Sequence, residues 1–147
     1  MIVLASGSPR RRELLEQLGV EFTIAAPDID ESTRPGETPV DYVRRLAIEK
    51  AHAVGASDDA LVIAADTTVD LDGEIFGKPA DLDDARAMLR RLSSRTHRVH
   101  TGVALRYEGR LESAVTTSLV TFAPLTTDTI EWYLATEEPL DLSLIHI

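Results

Sequence analysis

The first eighteen residues admit few folds. Met1 to Ala5 is a short apolar run, Ser6-Gly7-Ser8 interrupts it, and Pro9 opens a helical pattern through Leu14, Leu15 and Leu18 that Gly19 closes. Strand, tight loop and helix therefore follow one another with almost no linker. Ser8 is a good N-cap, proline suits the first helical position, and glycine suits the residue past the end. The charge in the first turn has the wrong sign. Unpaired N–H groups and the positive end of the macrodipole favour acidic side chains there, whereas this chain has Arg10, Arg11 and Arg12. Either the guanidinium groups splay into solvent or an anion lies among them. A helix N-terminus after a strand is an anion site, and serine hydroxyls beside Gly7 allow close approach.

An anion ligand has to be reconciled with the net charge, which is −10. A nucleic-acid binder would show a basic field, so any cationic residues must be gathered in one cleft, with a divalent cation as a further source of positive charge. The chain has 147 residues, 44% of them hydrophobic and 27% charged, which suits one globular unit with a real core, or two lobes of one. No apolar run is long enough to span a bilayer. The N-terminus lacks a basic region followed by a long apolar core, so no signal peptide is expected. The absence of cysteine excludes thiolate metal sites and cysteine nucleophiles, and fits a cytoplasmic setting.

Further along, Val20 to Ala25 reads as a second strand, and the acidic stretch from Pro27 to Glu37 as an exposed loop that could act as a lid. In an extended chain Asp28 and Asp30 would face one way, Ile29 and Glu31 the other. These carboxylates read either as a solvated loop or as ligands. Thr38-Pro39 with Asp41 starts a helix running to about Val54, with an apolar stripe of Val43, Leu46, Ala47, Ala51 and Val54. Lys50 falls inside that stripe. An unpartnered buried ammonium would cost several kcal/mol out of the ~5–15 kcal/mol that hold a domain together. The ammonium either snorkels out or points into a cleft toward an anion.

Leu61 to Ala65 is a buried-strand run ending in Asp66-Thr67-Thr68, which sets a carboxylate at the C-terminal edge where α/β folds place ligand chemistry. Asp72-Gly73 between Val69–Leu71 and Glu74–Phe76 is a hairpin signal, and Gly77-Lys78-Pro79 follows it. Asp81 caps a third helix with the stripe Ala85, Met88, Leu89 and Leu92. Thr96 to Phe122 reads as strands turning at Glu108-Gly109, and a last helix holds Ile130, Trp132, Tyr133 and Leu134. His97 and His100, three apart in a strand, point to opposite faces and are not expected to share a metal. Arg10, Arg11, Lys50 and Lys78 with Glu31 and Asp66 form a set suited to cutting a nucleoside triphosphate: cations for the phosphates, carboxylates for a divalent metal and for water. Neither a P-loop nor a G-x-G-x-x-G motif is present.

Read in order, Leu4-Ala5-Ser6-Gly7-Ser8-Pro9-Arg10-Arg11, Asp30-Glu31, Glu49-Lys50-Ala51, Ala65-Asp66-Thr67 and Gly77-Lys78-Pro79 resemble the motifs of the Maf family of nucleoside triphosphate pyrophosphatases. The resemblance spans residues 1 to about 141 and implies an elongated α/β fold, with a mixed sheet, flanking helices and two lobes around a central cleft. The implied activity is hydrolysis of a nucleotide to the monophosphate and pyrophosphate with Mg²⁺ or Mn²⁺. That activity removes non-canonical or excess nucleotides, and the family is linked to arrest of septum formation. By motif, Asp66 would be the proton acceptor and lie near the metal. Glu31 would be a metal or water ligand, and Ser8, Arg11, Lys50 and Lys78 would bind phosphates. Arg10 and Thr67 stand where family branches differ, and resemble the branch that cleaves dTTP and UTP.

The expected partner is the nucleoside triphosphate, with no nucleic acid and no membrane; a homodimer is an open alternative to a monomer. Two other readings stay open: a nucleotide-binding regulator of cell division without catalysis, and a flavodoxin-like flavin binder. After Glu138-Pro139-Leu140-Asp141 the family's G-x-Y-x-I-Q-G segment is expected. Residues 142–147 read Leu-Ser-Leu-Ile-His-Ile instead, a tail unlike the family, so a shortened domain over 1–141 with reduced activity is expected.

Overall fold

In a computed structural model of the chain, residues 1–135 are described. The Glu137–Asp141 segment, the tail at 142–147 and the expected boundary between them lie outside the described residues. The elements in chain order are β1 (Ile2–Ala5), α1 (Pro9–Gln17), β2 (Thr23–Ile24), α2 (Pro39–Ala53), β3 (Leu61–Leu71), β4 (Glu74–Phe76), α3 (Leu82–Leu92), β5 (Thr96–Tyr107), β6 (Arg110–Thr121) and α4 (Thr127–Leu134). The strands form one mixed sheet in the order β2-β1-β3-β5-β6, with β4 paired to β3. The fold is of the expected α/β class. The chain divides into two compact units, residues 1–66 with 101–116, and residues 67–100 with 117 onward.

The first unit is built on parallel pairing. β1 pairs with β2 (Val3↔Thr23, Leu4↔Ile24) and with β3 (Ile2↔Leu61 through Ala5↔Ala64). From β1 the chain moves to one neighbour and then, through α2, to the other. The carboxyl ends of β1 and β3 therefore flank a topological switch point, the position at which open α/β sheets bind ligands. The core of this unit is Val3, Ala5, Ala47, Ala51, Val54, Ala60, Val62, Ala64 and Ala104. Small side chains dominate it, so α2 packs close to the strands. At Gly102 of β5 the approach is so close that an added Cβ would collide with the Val43 carbonyl of α2.

The second unit is held by antiparallel strands and two helices. Asp72 and Gly73 both have positive φ (52° and 89°), as a two-residue hairpin between β3 and β4 requires. Its core joins Val69, Leu71, Phe76 and Val99 from the strands to Ala85, Leu89 and Leu92 of α3 and Ile130, Tyr133 and Leu134 of α4. In the same unit the buried His100 donates from Nε2 to Asp70 Oδ2 (2.7 Å), and its Nδ1 lies 2.7 Å from the Thr117 hydroxyl. His97 packs edge-on against Phe122, and its Nδ1 is buried without a hydrogen-bond partner among the described residues.

Helix caps fall where the local chemistry puts them: Ser8, Thr38 and Asp81 each accept from the backbone N–H three residues on. Two expectations are corrected. The second strand is only Thr23–Ile24, not Val20 to Ala25. The run at Leu61 does not end at Asp66, because one strand continues to Leu71. Separately, Leu14, Leu15 and Leu18 enter neither core among the described residues. No residue of the helix is buried, and Leu14 and the C-cap Leu18 are 61% and 72% exposed.

Candidate active site

The loop after β1 is organised by a buried hydroxyl. Ser6 Oγ accepts from the Ser8 backbone N–H (3.1 Å) and from Arg11 Nη1 (3.2 Å). The same Nη1 donates to the Ala65 carbonyl at 3.0 Å, so the first turn of α1 is fastened to β3 one residue before Asp66. Ser8 Oγ caps the helix, 3.5 Å from the Arg11 backbone nitrogen. Burial lowers the pKa of Arg11, and the nearby charges of Asp66 and Glu31 oppose that shift. A cation of the wrong sign for a helix N-terminus is thus half-buried and balanced by two carboxylates.

Asp66 lies two residues past Ala64, the last β3 residue in register with β1, where β1 has turned away toward α1. The strand is intact there but has passed the end of its register with β1. Lys50 reaches this point from the last turn of α2. Its ammonium is 2.9 Å from Asp66 Oδ1 and 2.9 Å from Glu31 Oε1. The Lys50 and Asp66 side chains are 12% and 11% exposed, that of Glu31 56%. The lysine of the apolar stripe therefore points into a cleft, and its partners are carboxylates. Burial raises the pKa of Asp66, and Lys50 opposes the rise. A cavity of about 270 Å³ lies at the Ser6-Gly7 turn, bounded also by Asp28, Ile29, Glu31 and Lys50.

The acidic loop does not alternate as an extended chain would. Asp30 Oδ1 accepts from both the N–H (2.9 Å) and the hydroxyl (2.6 Å) of Ser32, a local turn of the kind aspartate favours. Asp28, Ile29 and Glu31 all line the cavity, while Asp30 is held by Ser32. Of the other expected residues, Arg10 is half-buried in the first turn of α1. Thr67, half-buried, and Lys78, exposed, belong to the second unit. Ser6, expected only as one of the hydroxyls beside Gly7, anchors Arg11, and two residues absent from the expected set hold the acidic loop: Tyr42 and Arg45. The only trace of these two in the sequence is that they are polar-tipped positions on the helix that follows an acidic loop.

The donor set can be tested against a divalent metal. Among the described residues no three or more His, Cys, Asp or Glu side chains gather to form a metal cage. Mg²⁺ does not need one, since it is usually bound by one or two carboxylates and completed by water and phosphate. Glu31 and Asp66 are hard oxygen donors that already share one cation, the Lys50 ammonium. The pair fits a metal completed by its substrate.

Compared with known proteins, residues 1–143 match the model of the family described as Maf-like protein. A dTTP/UTP pyrophosphatase of Myxococcus xanthus is 54% identical over 144 residues, covering 96% of this chain and 72% of that protein. One from Hahella chejuensis is 53% identical over 144 residues, covering 95% and 72%. Among solved structures, the Ham1 protein of Staphylococcus aureus has a similar fold, with a TM-score of 0.53 and 20% identity, covering 82% of this chain and 69% of that one.

Proposed function

The chain belongs to the Maf family, and on that footing we propose that it hydrolyses nucleoside triphosphates, dTTP and UTP foremost, to the monophosphate and pyrophosphate. The observation that carries the reading is the meeting of Lys50, Asp66 and Glu31 near the Ser6–Arg11 turn. Two cations and two carboxylates converge at a parallel-sheet switch point, where a helix N-terminus already offers donors to an anion. The relatives named dTTP/UTP pyrophosphatases say which nucleotides to try first.

In this reading the α–β anhydride is hydrolysed. The oxygen of water bonds to phosphorus, pyrophosphate leaves, and Asp66 takes the proton of the attacking water. A carboxyl raised by burial is a better base than an ordinary aspartate. Arg11, held by Ser6 and Ala65, faces phosphate oxygens, and Lys50 exchanges a carboxylate for the incoming phosphate. Ser8 holds the turn that presents the backbone N–H groups. Arg10 and Thr67 select the base, and Lys78 contributes a further phosphate contact. Glu31 and Asp66 would hold Mg²⁺ or Mn²⁺, which when bound neutralises phosphate charge and lowers the pKa of coordinated water. Removal of excess or non-canonical nucleotides in the cytoplasm, with the family's link to septum formation, belongs to the same proposal.

A panel of nucleoside triphosphates assayed for pyrophosphate with and without Mg²⁺ tests it. The expected result is metal-dependent release that is highest for dTTP and UTP. Equal, metal-independent rates across the panel, or release of inorganic phosphate alone, would overturn it.

A further inference from the structure

Glu31 stands on a loop, and its side chain is 56% exposed. What fixes it lies behind, on α2. Tyr42 Oη donates to the Glu31 carbonyl at 2.6 Å. One turn along, Arg45 Nη2 donates to the next carbonyl, that of Ser32, at 2.9 Å. The rest of the guanidinium is engaged as well. Nε and Nη2 form a fork on the Glu37 carboxylate (2.6 and 2.9 Å), and Nη1 lies 3.3 Å from both oxygens of Glu49. Glu37 closes the same loop by accepting from the Arg34 N–H at 3.2 Å. The Arg45 guanidinium also lies over the Tyr42 ring, 5.7 Å from its centre.

We propose that Tyr42 and Arg45 are positioning residues that clamp two successive carbonyls of the acidic loop and so hold the Glu31 carboxylate at the Lys50 ammonium. The proposal rests on the role given to Glu31 above. Grip on two consecutive carbonyls holds the 31–32 and 32–33 peptide planes, and so anchors the backbone from which the Glu31 side chain leaves. Lys50 then meets that side chain from the same helix that supplies the clamp. Backbone and carboxylate of one loop residue are thus referred to one rigid element. The Tyr42 hydroxyl is pushed up to about 12, chiefly by burial and then by the charges of Asp66 and Glu31, so it remains a donor throughout the working range. The fork from Arg45 holds the Glu37 carboxyl below the ordinary glutamate value, so the clamp keeps its charge.

The test uses Tyr42→Phe, which removes one oxygen, and Arg45→Met, each alone and combined with Glu31→Gln. Pyrophosphate release is followed against Mg²⁺ concentration, and amide hydrogen exchange is followed over residues 28–37. Each single substitution is expected to raise the half-saturating Mg²⁺ concentration about tenfold, the usual effect of losing a group that orients a ligand. The KM for nucleotide at saturating Mg²⁺ stays unchanged. Exchange over 28–37 quickens while that of β1 does not. In the Glu31→Gln background neither substitution lowers activity further. Equal losses with and without Glu31, or unchanged exchange over 28–37, overturn the clamp. Wild-type metal response in Glu31→Gln alone overturns the role of Glu31 instead, and with it the use of the clamp.

Discussion

Each unit of the molecule buries a small polar cluster, and the two are built on opposite terms. In the second unit, Asp70, His100 and Thr117 form a closed chain. Asp70 Oδ2 accepts from His100, Asp70 Oδ1 accepts from the Gly73 N–H at 2.7 Å, and the other imidazole nitrogen meets a hydroxyl. Both carboxylate oxygens and both ring nitrogens are used within the protein, and the result pins β3, its hairpin and the neighbouring strands. In the first unit, Lys50 is shared by two carboxylates, and Glu31 stands largely in water. A satisfied network stabilises. A charged cluster open to water beside a cavity has the features expected of a reactive site.

The largest contrast is between two aspartates of one strand. Asp66→Asn is expected to lower kcat about 10²–10⁴-fold, the usual worth of a general base, with the unfolding midpoint little changed. Asp70→Asn is expected to do the reverse, leaving kcat per folded molecule intact while costing about 1–3 kcal/mol of stability through an unsatisfied buried partner. Steady-state kinetics beside thermal unfolding of both variants reads this directly, and loss of turnover in Asp70→Asn with normal stability would erase the distinction.

Lys50→Met sharpens the same point. It is expected to lower kcat about 10²-fold, as removal of a charge-stabilising donor does. Burial raises the Asp66 pKa and Lys50 opposes that rise, so loss of the ammonium lets the carboxyl climb further. The acid limb of the pH–rate profile then moves to higher pH. A limb that stays in place would mean that another group titrates.

The smallest effect lies in the second unit. Burial lowers His97 from its ordinary 6.5, so below that value the unfolded chain binds more protons than the folded one, and stability declines as pH falls. His97→Leu is expected to flatten this part of the curve of unfolding midpoint against pH without altering turnover. A slope equal to that of the parent chain would assign the acid sensitivity elsewhere.

How much of this is legible in the sequence follows from how local each cause is. Thr38-Pro39, Asp81 and Asp72-Gly73 announce caps and a turn because a cap needs only its own next three residues. Lys50 is legible as an anomaly, a charge in an apolar stripe, though its two partners are not. Asp66 reads as the end of a strand because Asp-Thr-Thr looks like a stop. The strand continues because pairing, which no short window shows, carries it on to Leu71. The alternation expected from Asp28 to Glu31 fails for a local reason, the turn that Asp30 makes with Ser32. The grip of Tyr42 and Arg45 on the acidic loop escapes notice because what they hold there are backbone carbonyls, which have no sequence signature.

Gly102 carries a consequence for Lys50, although what an added Cβ there would meet is helix backbone at Val43 and Arg44. α2 is a rigid rod between Val43, which rests on the bare Cα of Gly102, and Lys50, about two turns further on. Whatever spacing residue 102 imposes at one end is delivered to the ammonium at the other. Glycine there works as a gauge block: the height of the Lys50 ammonium is calibrated by a side chain that does not exist.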